Sequence, residues 1–312
     1  MNGAPPDGFV SRAACPLCDA GRERASVHID FADIPVLKCG ACGFIYPAFV
    51  MTPEGMKRYY REVFASPWHR KGQELNSFVN EAALRRLIDL RGVRTFLDVG
   101  TGYGFLLRRL SDRHGIDGVG TEPSVQEAAW GNEHLGVRII ERLVGEAGLA
   151  PASFDAVACF EVIEHVPDPR AFVAELASLC RPGGWVIINT DNFESAAVRR
   201  LGPRFAKWIP HSHVSDFSPA TLKRCIESVP GLRVEATLSY TAWENALRAG
   251  LSRFQSPRPA RACFSLEREL GREMNRTYRF WPMRVAAARA WFALTHSADP
   301  GGSMMYLAAR KA

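Results

Sequence analysis

The sequence predicts an α/β fold built on a parallel sheet and preceded by a small cysteine-bound module. Three observations carry this. Short apolar runs alternate with helical stripes between residues 95 and 238, the pattern of consecutive βαβ units. One of those runs enters a glycine-rich turn. Four cysteines fall into two C-x-x-C pairs within the first 42 residues.

The chain of 312 residues is 47% hydrophobic and 23% charged. That is enough to bury a sizeable core, and it excludes a disordered or fibrous chain. The net charge is +6, and 33 of the 39 basic residues are arginine. Such a balance permits anionic partners without pointing to nucleic acid. Residues 1–14 lack an apolar stretch behind a basic start, and no run of about 18 uncharged apolar residues occurs. The expected location is therefore cytoplasmic.

Cys15, Cys18, Cys39 and Cys42 form C-x2-C-x20-C-x2-C. Each pair places two thiolates on one tight turn, and two turns complete a tetrahedral shell for a structural zinc. Pro16 stiffens the first turn, and Gly40 and Gly43 allow tight backbone at the second. Two disulfides or a redox pair are the alternatives, and a cytosolic setting disfavours the first. Cys159, Cys180, Cys225 and Cys263 stand singly and read as core residues. The expected organisation is a zinc ribbon over 1–50, a helical connector over 51–92, and an α/β unit over 93–312 with a helical insertion at 240–300.

Along the chain, Val36–Lys38 and Phe44–Tyr46 read as ribbon strands. Ser77–Leu90 carries apolar residues at 79, 83, 84, 87 and 88, a helical stripe that Ser77 could cap and Gly92 end. Thr95–Val99 is the first strand of the sheet, followed by a helix over Phe105–His114. Ile116–Thr121 is the second strand, and Ser124 with Glu127 opens the next helix as a capping box. Val137–Ile140 and Phe154–Phe160 follow as strands. Asp168 and Pro169 start a helix that reaches Cys180. Arg181–Gly184 reads as a turn before a fifth strand, Trp185–Thr190. Ser218 and Pro219 open a helix to Val229, Leu232–Leu238 is a strand, and Ser303–Arg310 closes the sheet.

The turn after the first strand is Asp98-Val99-Gly100-Thr101-Gly102-Tyr103-Gly104. Glycines there let the backbone turn sharply and approach a ligand without a Cβ in the way. The spacing differs from the dinucleotide fingerprint G-x-G-x-x-G. Glu122 ends the next strand, 18 residues past Gly104, where a carboxylate can accept both hydroxyls of a ribose. A plain tight turn and a helix N-terminal charge are the bland alternatives.

DVGTGYG, VGTEPS, FDAVACFEVIEHVPDP and RPGGWVIINT together resemble the class I S-adenosylmethionine-dependent methyltransferases over roughly residues 80–240 and the last strand. The resemblance implies a Rossmann-like sheet whose last strand is antiparallel. It implies that Asp98, Gly100, Gly102, Tyr103 and Gly104 line the methionine and ribose part of S-adenosylmethionine. Glu122 would hold the ribose hydroxyls, Leu143 and Val144 would border the adenine, and Phe160 would sit beside the sulfonium. The double C-x-x-C resembles zinc-ribbon methyltransferases of sugar, polysaccharide and natural-product biosynthesis.

Methyl transfer to a hydroxyl needs an aligned nucleophile and a proton acceptor. Glu161, Glu164 and His165 lie at i, i+3 and i+4 and share a face if a helical turn follows the strand. His165 is the expected general base, with a pKa near working pH, and Glu161 its companion. This E-x-x-E-H also resembles the metal triad of ubiquinone-pathway O-methyltransferases and of small-RNA 2′-O-methyltransferases, which would place a divalent cation on Glu161, Glu164 and His165, with His211 or His213 as a fourth ligand. In the bland alternative Glu161 and His165 shape the pocket, Glu164 is solvated, and His211 and His213 are wall or surface.

Residues 240–300 hold ten arginines, five acidic residues and many aromatics. They read as a helical lid with arginines covering apolar surface. A face touching anionic lipid is the second reading, and an RNA face ranks last. The expected reaction is methyl transfer to a hydroxyl of a sugar or other small biosynthetic intermediate. The alternatives are a metal-dependent RNA 2′-O-methyltransferase and a non-catalytic binder.

Overall fold

The computed structural model describes residues 5–31, 33–62, 67–252 and 281–312. Cys263 and residues 253–280 of the expected insertion lie outside them. The N-terminal part contains β1 (Phe9–Ser11), β2 (Ala25–Ile29), β3 (Val36–Cys39), β4 (Ile45–Pro47) and β5 (Phe49–Met51). Strands β2, β3 and β4 form an antiparallel sheet, and β1 pairs with β5. Two helices follow, α1 (Pro53–Glu62) and α2 (Pro67–Leu87).

The remaining elements alternate as expected. They are β6 (Thr95–Val99), α3 (Phe105–His114), β7 (Asp117–Thr121), α4 (Val125–Leu135), β8 (Arg138–Ile140), β9 (Phe154–Phe160), α5 (Pro169–Leu179), β10 (Cys180–Asp191), α6 (Ala196–Leu201), α7 (Pro219–Glu227), β11 (Leu232–Tyr240), α8 (Trp243–Leu251), α9 (Trp281–Thr295) and β12 (Met304–Lys311). The sheet has seven strands in the order β11-β12-β10-β9-β6-β7-β8. Strands β6 to β10 pair in parallel, and β12 runs antiparallel between β10 and β11. This is a Rossmann-like sheet with an antiparallel last strand. Its strand order reverses at β6, so the glycine turn opens at the switch point where parallel sheets bind ligands.

Strand ends fix the site. Each exit loop is anchored on the neighbouring strand: Gly100 N and Thr101 N donate to Thr121 O, Glu122 N to Ile140 O, and Glu161 N to Asn189 O. Strands β9 and β10 are buried on both faces over most of their length, as their continuous apolar runs require.

Three local expectations are corrected. Ser77 lies inside α2, where its hydroxyl donates to Glu74 O at 2.6 Å, so it caps nothing. The stripe Val79, Ala83, Leu84, Leu87 and Ile88 is nevertheless buried. Arg181–Gly184 does not separate a helix from a strand. It is a bulge within β10, whose register moves from Cys180 opposite Phe154 to Trp185 opposite Ala156. Strand β11 continues to Tyr240 because Ser239 and Tyr240 still find partners in Met305 and Met304.

Helix α2 is fastened to α3 by a charge cluster. Glu81 is 3% exposed. Its carboxylate accepts from Arg109, and also lies 3.1 Å from both His114 Nε2 and Arg113 Nε. Burial alone would raise its pKa, but the bonds from Arg109 and His114 outweigh burial and hold it below the usual value. Glu81→Gln should therefore lower stability at neutral pH by about 3 kcal/mol. A depressed carboxylate pKa contributes fully above the unfolded value and is lost as pH falls through the folded one. Denaturant titrations of the two proteins should thus differ constantly down to about pH 5 and converge in stronger acid.

Candidate active site

The glycine turn is held open from three sides. Gly100, Gly102 and Gly104 have φ of 71°, 55° and 77°, the left-handed region that favours glycine. A Cβ on Gly100 would lie 2.5 Å from Val162, in the E-x-x-E-H segment, and one on Gly102 would lie 2.0 Å from the Gln73 amide oxygen. Glu122, 7% exposed, accepts from Gly102 N and Ser124 N at 2.9 Å each. Burial raises its pKa to about 7, as it does for Asp98. Asp98 accepts from the Thr101 hydroxyl at 2.8 Å.

Helix α2 supplies a residue that no motif announced. Gln73 accepts from Tyr103 N at 2.9 Å and donates to Glu127 at 3.1 Å. The other Glu127 oxygen is buried without a hydrogen-bond partner, and burial lifts this carboxyl to about 8. A backbone cradle that admits no side chain, a buried carboxylate and an orphaned acceptor fit a polar, ribose-bearing cofactor. Of the expected adenine border, Val144 is buried and Leu143 is half exposed.

The second half of the site follows β9. Glu161 adopts φ 54°, unusual for a side-chain-bearing residue. Its carboxylate accepts from Asn76 and from Lys207, each at 2.8 Å. Ile163–His165 then forms one 3-10 turn. Glu164 is fully buried and accepts from Thr190 Oγ1 at 2.8 Å, so the solvated alternative fails. Burial, with Asp191 and Glu161 nearby, raises it to about 8.

His165 Nδ1 lies 3.0 Å from the Ser212 carbonyl, a bond that assigns the proton to Nδ1 and the lone pair to Nε2. Burial lowers its pKa to about 4, so it does not titrate near working pH as the sequence suggested. The ring meets His213 edge to face at 4.7 Å, and His211 is buried close by.

Besides the four ribbon cysteines, two ligand-type clusters emerge among the described residues, with ligand atoms within 4.8 Å: Glu164, His165 and His213, and Glu161, Glu164 and Asp191. Asp191 and Lys207 escaped the sequence reading. Asp191 is fully buried at the end of β10, and neither of its oxygens has a hydrogen-bond partner. Lys207 Nζ stands 3.9 Å from it. Glu161 and Asp191 keep that ammonium protonated well above the usual range, against desolvation. A polar residue closing the apolar run of a strand was the available signal for Asp191; Lys207 carried none.

The four ribbon cysteines converge. Cys15 and Cys42 sulfurs are 3.6 Å apart, and Cys18 and Cys39 sulfurs 3.7 Å. The two knuckles are equivalent: Asp19 N donates to Cys15 O and Gly43 N to Cys39 O, with φ 58° and 78° at those donors. Zinc bonds of about 2.3 Å in a tetrahedron give sulfur separations of about 3.8 Å, so the thiols fit that ion. The other described free cysteines, Cys159, Cys180 and Cys225, are buried. No helix among the described residues is long and apolar enough to cross a membrane.

Residues 67–236 match the family described as methyltransferase domain. The chain is 34% identical over 176 residues to a ubiquinone biosynthesis O-methyltransferase of Xanthomonas euvesicatoria pv. vesicatoria, covering 52% of this chain and 72% of that protein. It is 31% identical over 209 residues to the enzyme of that name from Aeromonas salmonicida, covering 61% and 87%. Among solved structures it resembles a chain of the complex between the Haloferax volcanii Trm112 methyltransferase activator and a methyltransferase. That likeness has TM-score 0.52 and 18% identity, and covers 82% of this chain and 97% of the other.

The cysteine cluster gives a test independent of those likenesses. Purified protein should carry about one zinc per chain by atomic absorption, and Cys39→Ser should lose it together with the ribbon's protease resistance. Full metal retention in that variant would contradict the four-thiolate site.

Proposed function

The chain belongs to the S-adenosylmethionine-dependent methyltransferases, and on that premise we propose that it methylates a hydroxyl of a small biosynthetic intermediate. The observation that carries this reading is the contact between the two halves of the site. Val162 packs on Gly100, so Glu161 and His165 stand beside the glycine turn. When bound, S-adenosylmethionine supplies an electrophilic methyl group.

The chain's own residues do the rest. Gly100, Gly102 and Gly104 admit the cofactor's backbone-proximal part, and Glu122 accepts the ribose hydroxyls, with Asp98, Tyr103, Val144, Leu143 and Phe160 around it. Glu161, steadied by Asn76 and Lys207, receives the proton of the acceptor hydroxyl, and neutral His165 helps to orient that hydroxyl. The similarity to enzymes named O-methyltransferase supports an oxygen acceptor; a sugar hydroxyl is the finer form of the same reading. Zinc in the ribbon has no open position in a four-thiolate shell and acts structurally.

A second reading has its own observation. Glu164, His165 and His213 offer ligand atoms within 4.8 Å of one another, and could hold a divalent cation that lowers the hydroxyl pKa. Chelator dependence separates the two readings.

Glu122→Ala should weaken S-adenosylhomocysteine binding by about tenfold or more in calorimetry, as expected for a lost charged hydrogen-bond pair. The ionised carboxylate is the stronger acceptor, and its pKa is about 7. Affinity should therefore be full above pH 7 and fall as pH drops below it; a flat profile with unchanged affinity in the variant would remove Glu122 from the site.

Radiolabelled S-adenosylmethionine, incubated with a host extract split into small-molecule, lipid-linked glycan, RNA and protein fractions, with and without EDTA, tests the reaction itself. Chelator-indifferent label in small molecules or glycans is expected, and Glu161→Gln should reduce it about 100-fold with cofactor affinity within about twofold. Chelator-sensitive label in RNA would overturn the proposal.

A further inference from the structure

Residues His211–Ser218 are buried throughout yet belong to no helix or strand. A buried irregular segment must find partners for its backbone groups elsewhere. Here they come from two sides. On one side is the E-x-x-E-H turn: Val214 N and Ser215 N donate to Glu164 O at 2.7 and 3.0 Å, and Ser215 Oγ donates to Val166 O at 3.0 Å. On the other side is the cysteine ribbon. Asp216 N donates to Ile45 O at 2.9 Å, forming an antiparallel bridge to the end strand of the ribbon sheet. The Arg12 guanidinium donates to Val214 O at 3.3 Å and to Pro167 O at 3.2 Å, so one side chain spans both the segment and the end of the E-x-x-E-H turn.

Apolar contacts follow the same seam. Phe44 meets Phe217 edge to face at 5.0 Å, and His28 lies 5.8 Å from Trp208. The partly exposed pairs Lys38–Glu194 at 2.9 Å and Arg170–Asp19 at 2.7 Å add little energy. The segment held this way, with the turn just before it, supplies Lys207, His211 and His213. The ties of the glycine turn run elsewhere, to Thr121, Glu122 and Gln73. A module of about 45 residues has too little core to fold unaided and needs a staple such as a metal.

We infer that the ribbon is a positioning element for the acceptor wall: folded on its four cysteines, it presses Ile45 and Arg12 against residues 208–217 and so sets Lys207 and His213 beside Glu161 and Glu164. Naming this wall the acceptor side rests on the reading above, but the tie between ribbon and segment does not, and its test uses no acceptor. Arg12 is a positioning residue, since it reaches the site only through the carbonyls of Val214 and Pro167. The ribbon's state is then felt at one half of the site and not at the other.

The test is hydrogen exchange on the full, zinc-loaded chain, read in peptides covering 208–217 and 98–104, alongside zinc content and S-adenosylhomocysteine affinity. Arg12→Met should speed exchange across Val214–Asp216 by about tenfold or more, while zinc stays at about one per chain and cofactor affinity within about twofold. Stripping zinc from the wild-type chain should give the same one-sided pattern. Unchanged exchange at 208–217, or an equal loss of protection at 98–104 with falling cofactor affinity, overturns the inference. Should Arg12→Met not fold, Arg12→Lys, which keeps the charge and forfeits the two-carbonyl span, is read by the same criteria.

Discussion

Parallel strands that end level with one another leave their last backbone groups facing the next loop, and this constraint organises the whole site. Gly100 and Thr101 take the carbonyl of Thr121, Glu122 takes that of Ile140, and Glu161 takes that of Asn189. Each loop that carries chemistry is thereby pinned to the strand beside it. The glycine turn, Glu122 and the E-x-x-E-H turn could not be displaced singly without leaving a strand end unsatisfied, which is costly in a buried sheet.

Around that frame the chain buries an unusual amount of acid. Asp98, Glu122 and Glu127 sit on one side, and Glu164, Asp191 and Asp216 on the other. Burial raises the pKa of all six. Burial beside Asp191 and Glu161 thus favours the neutral acid at Glu164, and the Lys207 ammonium lies 2.8 Å from the Glu161 carboxylate. A divalent cation arriving at Glu164 would have to expel a proton.

What the sequence disclosed followed from locality. The glycine turn, Glu122, the capping Ser124 and Ser218, and both C-x-x-C knuckles are features whose partners lie within a few residues or within one βαβ unit. The residues it hid are joined over long separations. Gln73 meets Tyr103, Asn76 meets Glu161, Lys207 meets Glu161, and Arg12 meets Val214. An amide in an amphipathic helix or a lysine in an irregular segment gives no periodic signal, because its role is fixed by packing alone. The burial that lowers the pKa of His165 is equally non-local, since it depends on a segment almost 50 residues away. Arg181–Gly184 misled differently: its composition is that of a turn, and the sheet absorbed the extra residues as a bulge.

Gln73 and Asn76 lie three residues apart on α2, one within the glycine turn and the other on Glu161. A stiff helical turn cannot withdraw from one neighbour while staying seated on the other. A displacement of that turn would therefore loosen the glycine turn and Glu161 together, since one amide of the helix serves each. One turn of helix is thus a shared support for two loops that leave different strands of the sheet, the glycine turn after β6 and Glu161 after β9.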